Sequence, residues 1–478
     1  MSKFYITTTL PYVNASPHLG FALEIVRADV LARWHRFSGD EVFFNTGADE
    51  HGLKIYRQAQ AASLEPQVYC DQMASKFMNL KTALALSYDN FIRTTDLQHV
   101  EAAQEFWRRA EAAGDIYKKT YQTKYCVGCE LEKTDSELVD GRCPNHPQQE
   151  LELIDEENYF FRFSKYQERL LKLYDSRPDF VWPPERLKEI KNFVQAGLTD
   201  FSVSRLASKL PWGVTVPGDP GQVMYVWFDA LINYISALGW PRAGKFKDFW
   251  PGYQIAGKDN LRQQAAMWPA MLLSVGLEPE KQVLINGFIT SDGQKMSKSL
   301  GNVVDPLALA QEYGSDALRY YLLAYTNVGA DTDFTVAAFR RVYQADLANG
   351  LGNLTARVAA LLEKNNLRLD LANVLADEGL VSEVAQALTN YDFAGAMNRL
   401  WLVFRRADET ISAAKPWAET DAAKVKAILE PLVRDLVSAA QILKCFLPAT
   451  ADKILAQYQA VEIKKAAPLW PRLEMTQK

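Results

Sequence analysis

The feature that most constrains this chain is a change of hydrophobic period near its start. Phe4-Tyr5-Ile6-Thr7-Thr8-Thr9-Leu10 is a β-branched and aromatic run that stops at Pro11, the composition of a strand. Leu19, Leu23, Val26, Val30, Trp34 and Phe37 then recur at three- and four-residue steps. That is one face of a helix, and Gly39 is placed to stop it. Val42-Phe43-Phe44 is a second apolar run. Two buried strands joined through a helix cannot form a hairpin. They require a parallel pair with a crossover, and so a sheet wound with helices. The loop "NTGADEHG" at 45–52 leaves the second strand on the edge where such sheets hold ligands.

The chain has 478 residues, too many for one ordinary core. Residues 1–115 carry the first half of the sheet. Residues 116–215 hold three cysteines, several prolines and short strands such as the one at 158–163, which reads as an inserted domain. Residues 216–300 resume α/β character with "VMYVWFDALINYI" (223–235), "YQIAGKD" (253–259) and "QVLINGF" (282–288). A linker follows at 301–335. From about Thr335 to Tyr458 the strands cease. Helical periods such as Val384, Ala387, Leu388, Tyr391 and Val425, Ile428, Leu429, Leu432, Leu436 predict a separate helix bundle over 336–478.

Composition serves mainly to exclude. With 48% hydrophobic and 23% charged residues the chain is of the ordinary globular kind. The N-terminal run is too short and too polar for a secretory h-region. No apolar run reaches about 18 residues, so no membrane span is expected, and the expected location is cytoplasmic. A net charge of −5 does not advertise a nucleic-acid partner, yet a local basic surface can bind phosphates on an acidic protein.

Five cysteines make an odd count. Three of them join a histidine in Cys126-Val-Gly-Cys129 and Cys143-Pro-Asn-His146. The spacing C-x2-C-x13-C-x2-H supplies two tight knuckles and a donor set of three sulfurs and one nitrogen, which suits a structural zinc ion with no vacant position. A Cys126–Cys129 redox pair and a decayed site are the alternatives. Cys70 and Cys445 are expected as buried lone thiols. His35, His51 and His99 do not group with the set by spacing.

Lys295-Met296-Ser297-Lys298-Ser299, within "SDGQKMSKSLGN", is the most specific short motif; a fixed pentapeptide recurs by chance roughly once in several thousand such chains. Two lysines in a glycine-flanked loop suit a mobile clamp on a polyphosphate; a solvated basic loop is the bland alternative. Upstream, "PHLG" puts His18 at a helix start, where unpaired N–H groups and the macrodipole attract anions. In their order and separation, "PHLG" and "KMSKS" resemble the two signatures of class I aminoacyl-tRNA synthetases. "LPYVNASPHLG", "TGADEHG", "VPGDPGQVMYVWFDALINYISALGWP" and "GQKMSKSLGNVVDP" narrow the resemblance to the methionyl-tRNA synthetase family, from residue 4 to about 470.

That resemblance implies a Rossmann-type parallel sheet split by a zinc-bearing connective insertion, then a stem-contact linker and an α-helical anticodon-binding domain. It implies adenylation of L-methionine by ATP, with Mg2+ on the phosphates, and transfer of the methionyl group to the 3′-terminal ribose of tRNA(Met). His18, Lys295 and Lys298 would be catalytic, with Asn14, Gly20, Gly257 and Asp259 completing the ATP site. Leu10, Tyr12, Asp49, Arg205, Trp227, Ala230, Tyr234, Asn260 and Gln264 would surround methionine, Asp49 taking its α-ammonium. For Arg205 the alternative is an ordinary surface arginine. For Trp227, Ala230 and Tyr234, at i, i+3 and i+7 of one helix, it is a core stripe. Asn353, Arg357 and Trp417 would read the anticodon, with amide, guanidinium and indole groups suited to an unstacked RNA loop. No appended module follows "PLWPRLE", so a monomer is expected.

The chain departs from that family at three positions. Asn260 stands where relatives commonly carry an apolar residue and Gln264 where they carry histidine. Four apart, the two are expected to share a helix face and to bond to each other. Phe21 stands where most relatives have a second histidine. Losing a transition-state donor costs on the order of 3 kcal/mol, so compensation from Lys295, Asn14 or a backbone N–H is expected. Two rival readings stay open: a synthetase-like paralogue with altered amino-acid or acceptor specificity, and a non-enzymatic RNA-binding relative.

Overall fold

The structure is a computed structural model that describes residues 2–133, 135–242, 244–296, 302–371 and 373–473. β1 (Lys3–Thr8), β2 (Glu41–Ala48) and β3 (Asn90–Arg93) open the chain. β1 and β2 are parallel, with Phe4 opposite Val42 and Ile6 opposite Phe44. The connection between them contains the expected helix, α1 (Leu19–Phe37). Next come β4 (Ile116–Cys126), β5 (Leu131–Lys133), β6 (Glu152–Phe161), β7 (Val181–Trp182), β8 (Phe201–Ser202) and β9 (Ser204–Leu206). β10 (Thr215–Val216), β11 (Asp219–Met224), β12 (Tyr253–Gly257) and β13 (Gln282–Asn286) follow.

The main sheet runs β3-β2-β1-β12-β13-β7 and is parallel throughout. β1 and β2 are buried on both faces along most of their length, as in a covered parallel sheet, with Thr7, Thr8, Asn45 and Thr46 among the enclosed residues. The chain's cysteine-bearing segment forms an antiparallel sheet, β5-β4-β6-β8, and β10-β11-β9 form another. Two features were not visible in the hydrophobic pattern. β7, a strand of two residues, comes from within 116–215 and still completes the main sheet, Val181 opposite Val283. Two residues carry no period to read. Within 216–300, β12 and β13 join the main sheet, whereas β11 turns back on β10 and β9.

The molecule divides into two compact units: residues 1–17, 38–79 and 87–286, and residues 18–37, 80–86 and 287–478. α1 thus belongs with the second unit. Its burial explains why. Not one face but almost the whole helix is enclosed, including Glu24, Arg27 and Asp29, and a helix buried all round needs polar partners for its charges. Arg27 Nη2 donates to Thr326 Oγ1 at 2.7 Å. Asp29 accepts from Arg319 Nη1 at 2.8 Å and Arg33 Nε at 2.7 Å. Arg319 Nε in turn donates to the Phe446 carbonyl at 2.6 Å. Phe37, expected on the buried face, is 40% exposed.

The second unit also holds β14 (Ile289–Ser291), β15 (Gln294–Lys295) and β16 (Thr332–Phe334), in the order β15-β14-β16. Beyond Phe334 its regular elements among the described residues are helices, including Asn353–Lys364, Phe393–Ala414, Ala422–Leu443 and Pro448–Tyr458. Val425, Leu429, Leu432 and Leu436 are buried along one of them, as the periodicity requires. No helix among the described residues is long and apolar enough to cross a membrane.

Candidate active site

In the first unit, β1 lies between β2 and β12, so successive connections leave it in opposite directions. In an open parallel sheet that switch point, at the carboxyl ends of the strands, is where ligands bind. Leu10 and Tyr12 follow β1, Asp49 follows β2, and Gly257 ends β12. Beyond the two strands, Tyr12 and Asp49 form an isolated parallel bridge, shifted by one residue from the β1–β2 register: Asp49 N donates to Pro11 O at 3.0 Å and Val13 N to Asp49 O at 3.2 Å.

Asp49 is 1% exposed, and its Oδ1 has no hydrogen-bond partner among the described residues. Burial holds its pKa well above the ordinary carboxylate value, and the charge of Asp229 adds to the rise. Tyr12 Oη, Trp227 Nε1, Arg205 Nη2 and Gln264 Oε1 are likewise buried without a hydrogen-bond partner among the described residues. Buried polar atoms are normally satisfied, and leaving one unpaired costs about 1–3 kcal/mol. Five such atoms fall on five residues expected to meet substrate. Other buried polar atoms of the chain, among them both Glu280 carboxylate oxygens and Trp107 Nε1, are also without partners among the described residues.

Arg205, on β9, is buried rather than a surface arginine. Nη1 donates to Ser202 Oγ and Ser204 O, each at 2.7 Å, and the guanidinium lies over the rings of Tyr125 and Tyr225, 5.1 and 4.7 Å from their centroids. Trp227, Ala230 and Tyr234 do not share one helix. Ile232 divides Val226–Leu231 from Asn233–Ser236. Trp227 still meets Tyr12 edge-on, with centroids 6.0 Å apart, and Ala230 and Tyr234 are buried.

The expected Asn260–Gln264 pair does not form. Gln264 Nε2 donates instead to Tyr234 Oη at 2.7 Å. The reason lies in the backbone: Asn260 ends a 3₁₀ turn, Lys258–Asn260, and Gln264 sits in a π-helical stretch, Gln263–Met267. A four-residue step keeps one face only at 3.6 residues per turn. Gly257 has an ordinary φ of −75°. A Cβ there would lie 2.8 Å from Asp259 Oδ1, the end of an exposed side chain that can turn away. Asn14 is half-buried, in a turn after Tyr12.

In the second unit, His18 caps α1. Its carbonyl accepts from Ala22 N at 3.1 Å, and its Nδ1 accepts from Gly20 N at 3.1 Å and Phe21 N at 3.4 Å. A neutral ring that accepts at Nδ1 carries its proton on Nε2. A Cβ on Gly20 would come within 3.0 Å of that ring. Phe21 is 7% exposed; its benzyl group is packed, and its contribution toward His18 is the backbone N–H. Lys295 lies on β15, where the description covers backbone only, and Lys298 lies outside the described residues. The expected compensation by Lys295 therefore also lies outside them.

Cys126, Cys129, Cys143 and His146 come together with their ligand atoms all within 4.8 Å of one another. Cys129 Sγ is 3.5 Å from Cys143 Sγ and 3.2 Å from His146 Nδ1, and Cys126 Sγ is 3.7 Å from the same nitrogen. Metal–sulfur bonds of about 2.3 Å in a tetrahedron separate sulfurs by about 3.8 Å, so the donor set fits a tetrahedral ion. Gly128 is needed in the knuckle because a Cβ there would strike the His146 ring at 2.5 Å. Cys70 and Cys445 are buried and free.

In the helical part, Asn353 is exposed at the head of Asn353–Lys364. Arg357, one turn on, donates from Nη2 to Asp408 Oδ1 at 2.6 Å, and its guanidinium lies 5.9 Å from the centroid of Trp417, which is 45% exposed.

Residue-type reasoning passed over His51, His99, Asp229 and Glu130, all buried. Asp229 Oδ2 is 2.5 Å from His51 Nδ1, and its Oδ1 is 2.8 Å from His99 Nε2. Glu130, directly after the Cys129 knuckle, accepts from Lys54 N at 2.7 Å and from Tyr125 Oη. The available signal was positional: His51 and Asp229 lie inside the quoted stretches "TGADEHG" and "WFDALINY". Their pairing spans 178 residues, which no local pattern encodes.

The fold and its side-chain clusters define a doubly wound α/β protein with buried polar groups beside the strand ends of its parallel sheet, a Cys3His cluster that could hold a metal ion, and a helical region. Residues 4–153 and 148–359 match the family described as tRNA synthetases class I (M). The chain is 42% identical to the methionine–tRNA ligase of Thermosynechococcus vestitus over 95% of this chain and 89% of that one. It is 39% identical to that of Thermotoga maritima over 94% and 74%. The structure of Mycobacterium tuberculosis methionyl-tRNA synthetase in complex with methionyl-adenylate superposes with a TM-score of 0.90 at 36% identity, covering 98% of this chain and 99% of that one. The chain belongs to the class I tRNA synthetases, in their methionyl branch.

Proposed function

We infer that the chain activates L-methionine with ATP, giving methionyl-adenylate and pyrophosphate, and then transfers the methionyl group to the 3′-terminal ribose of tRNA(Met). The observation that carries this reading is the buried Asp49 carboxylate, whose Oδ1 lacks a hydrogen-bond partner among the described residues, bridged through the backbone to Tyr12, whose ring meets Trp227 edge-on. A free ammonium group satisfies the carboxylate. A flat-walled slot suits a polarisable thioether. Arg205 Nη2 and Tyr12 Oη have hydrogen-bonding capacity for the rest of the substrate.

His18 holds a phosphate oxygen through Nε2–H, and Lys295 and Lys298 meet the charge that develops on the α-phosphorus. Asn14 and Gly20 shape the phosphate turn, and Gly257 and Asp259 take the adenosine. Mg2+ bound with ATP would screen the phosphates. No covalent enzyme intermediate is required. Gln264 and Tyr234 close the slot in place of the more usual histidine, and the hydrogen bond between them supports retention of a side-chain-reading back wall. Methionine-dependent pyrophosphate exchange, run beside leucine, isoleucine and norleucine, tests the reading. A preference for any of the other three identifies a paralogue of altered specificity, and no exchange with any of them identifies a non-enzymatic relative.

Cys126, Cys129, Cys143 and His146 would hold zinc, which supplies a structural cross-link within 116–215 and no chemistry at the reacting centre. Cys126→Ser is expected to lower bound zinc from about one per chain to near zero by elemental analysis and to loosen the β4–β5 knuckle to proteolysis. Asn353, Arg357 and Trp417 would read the anticodon on the helical domain 336–478, with 301–335 as the stem-contact linker between it and the sheet halves 1–115 and 216–300. The working form in this reading is a cytoplasmic monomer, which sedimentation of the purified chain tests.

A further inference from the structure

Asp229 is fully buried and each of its oxygens is used. A carboxylate only accepts, so His51 donates through Nδ1–H and His99 through Nε2–H. His99 Nδ1 then meets Ser236 Oγ at 2.9 Å. This network joins four elements: the loop 49–52 after β2 and the helices Val226–Leu231, Leu97–Ala112 and Asn233–Ser236. Two of its members adjoin residues of the proposed amino-acid site. His51 is two residues from Asp49, and Asp229 lies between Trp227 and Ala230 in the sequence.

The loop needs such an anchor. Gly52 takes φ 107°, a conformation that favours glycine. Glu50 is committed elsewhere: its N–H goes to Thr94 Oγ1 at 2.9 Å, its carboxylate to Arg93 Nε at 2.6 Å and its carbonyl to Trp212 Nε1 at 2.6 Å. Asp49 Oδ1 has no hydrogen-bond partner among the described residues, and the carboxylate accepts a hydrogen bond from the backbone N–H of His51, so the direction of that carboxylate depends on where the backbone of the loop is held. Asp229 also places a second buried acid near Asp49. Burial alone would raise the pKa of Asp229, yet the charge of His51 and the hydrogen bonds from both imidazoles bring it down to about 2.

We propose that Asp229, acting through His51, is a positioning residue that aims the Asp49 carboxylate at the substrate ammonium across from the Trp227 slot. The inference rests on the methionine-activation reading. A buried network that serves stability alone would weaken every ligand together with the fold; an aiming device weakens only ligands that carry the ammonium.

The test uses Asp229→Asn and His51→Gln in the full chain. Pyrophosphate exchange gives KM for methionine and for ATP. Inhibition is measured with methioninol, which keeps the amino group, and with 4-(methylthio)butanoate, which lacks it. The expected result is that KM for methionine and the methioninol inhibition constant rise about tenfold or more. KM for ATP and the inhibition constant of the desamino analogue stay within about twofold, and Asp229→Glu restores part of the loss. Unchanged methionine and methioninol constants overturn the proposal, as does an equal loss for the two inhibitors. If Asp229→Asn fails to fold, His51→Gln carries the same comparison. Absence of methionine-dependent exchange in the unaltered chain removes the functional reading itself, which is a separate outcome from a wild-type-like variant.

Discussion

The Asp49 group of the first unit and the Arg357–Trp417 patch of the second differ in how far their side chains are exposed and paired, although Arg357 Nε, like Asp49 Oδ1, lacks a hydrogen-bond partner among the described residues. Asp49 is buried at 1% exposure with an oxygen that nothing described satisfies. Arg357 Nη2 is already paired with Asp408 at 2.6 Å, and Trp417 is 45% exposed. A small substrate can be engulfed, so its site can hold an unsatisfied charge in place and let the ligand complete it, which favours preorganisation. An RNA loop is too large to engulf. In the proposed anticodon reading such a site must remain exposed, and Asp408 would hold the Arg357 guanidinium until a nucleotide displaces it.

The largest effect should come from Asp49→Asn. Removing one charge of a buried ammonium–carboxylate pair costs about 2–5 kcal/mol, so kcat/KM for methionine in pyrophosphate exchange should fall on the order of a hundredfold or more. Stability should move the other way. The folded pKa of Asp49 lies above 3.8, so the folded chain holds its proton more tightly and stability falls as pH rises from about 3.8 through the folded value. The amide removes that loss, and the melting temperature of the variant at about pH 8 should exceed that of the parent chain. A lower melting temperature would break the comparison, because Asp49 would then serve the fold.

Trp417→Ala comes next. Loss of one stacking surface costs about 1–3 kcal/mol, so tRNA charging should drop about tenfold while pyrophosphate exchange stays unchanged. An equal fall in both assays would show that the patch supports the fold instead. The smallest effect sharpens what an unpaired buried acid does away from any site. Glu280 is fully buried, both its carboxylate oxygens lack hydrogen-bond partners among the described residues, and burial pushes its pKa from 4.5 up to about 8. Stability contributed by its protonated form is present below pH 4.5 and lost as pH rises to about 8. Glu280→Gln should therefore raise the melting temperature by a few degrees at about pH 8 and by little at about pH 5.

Much of this site was legible because its groups lie on short, contiguous stretches. The histidine at a helix start, the CxxC and CxxH knuckles and the acid after β2 are each encoded within a few residues. The geometry of one turn or one strand end then places them. Where reading failed, the backbone departed from ideal repeats. Asn260 and Gln264 separate across a 3₁₀–π junction, Trp227 and Tyr234 fall on two short helices, and β7 is too short to show a period.

By itself, then, the order of residues determined the alternation of strand and helix, the metal-ligand set, and the residue types that a methionine-activating site requires. Those follow from periodicity, spacing and intrinsic chemistry, which act over a few residues. Tertiary structure alone decided which of these groups are buried without partners and what aims them. Asp49 becomes a site by losing water and finding no described protein donor for Oδ1. His51, Asp229 and His99 become one network because three elements distant in sequence meet there. α1 joins the second unit because its buried charges find Thr326 and Arg319. Desolvation and pairing between remote segments depend on the whole packed chain, and local sequence carries no record of them.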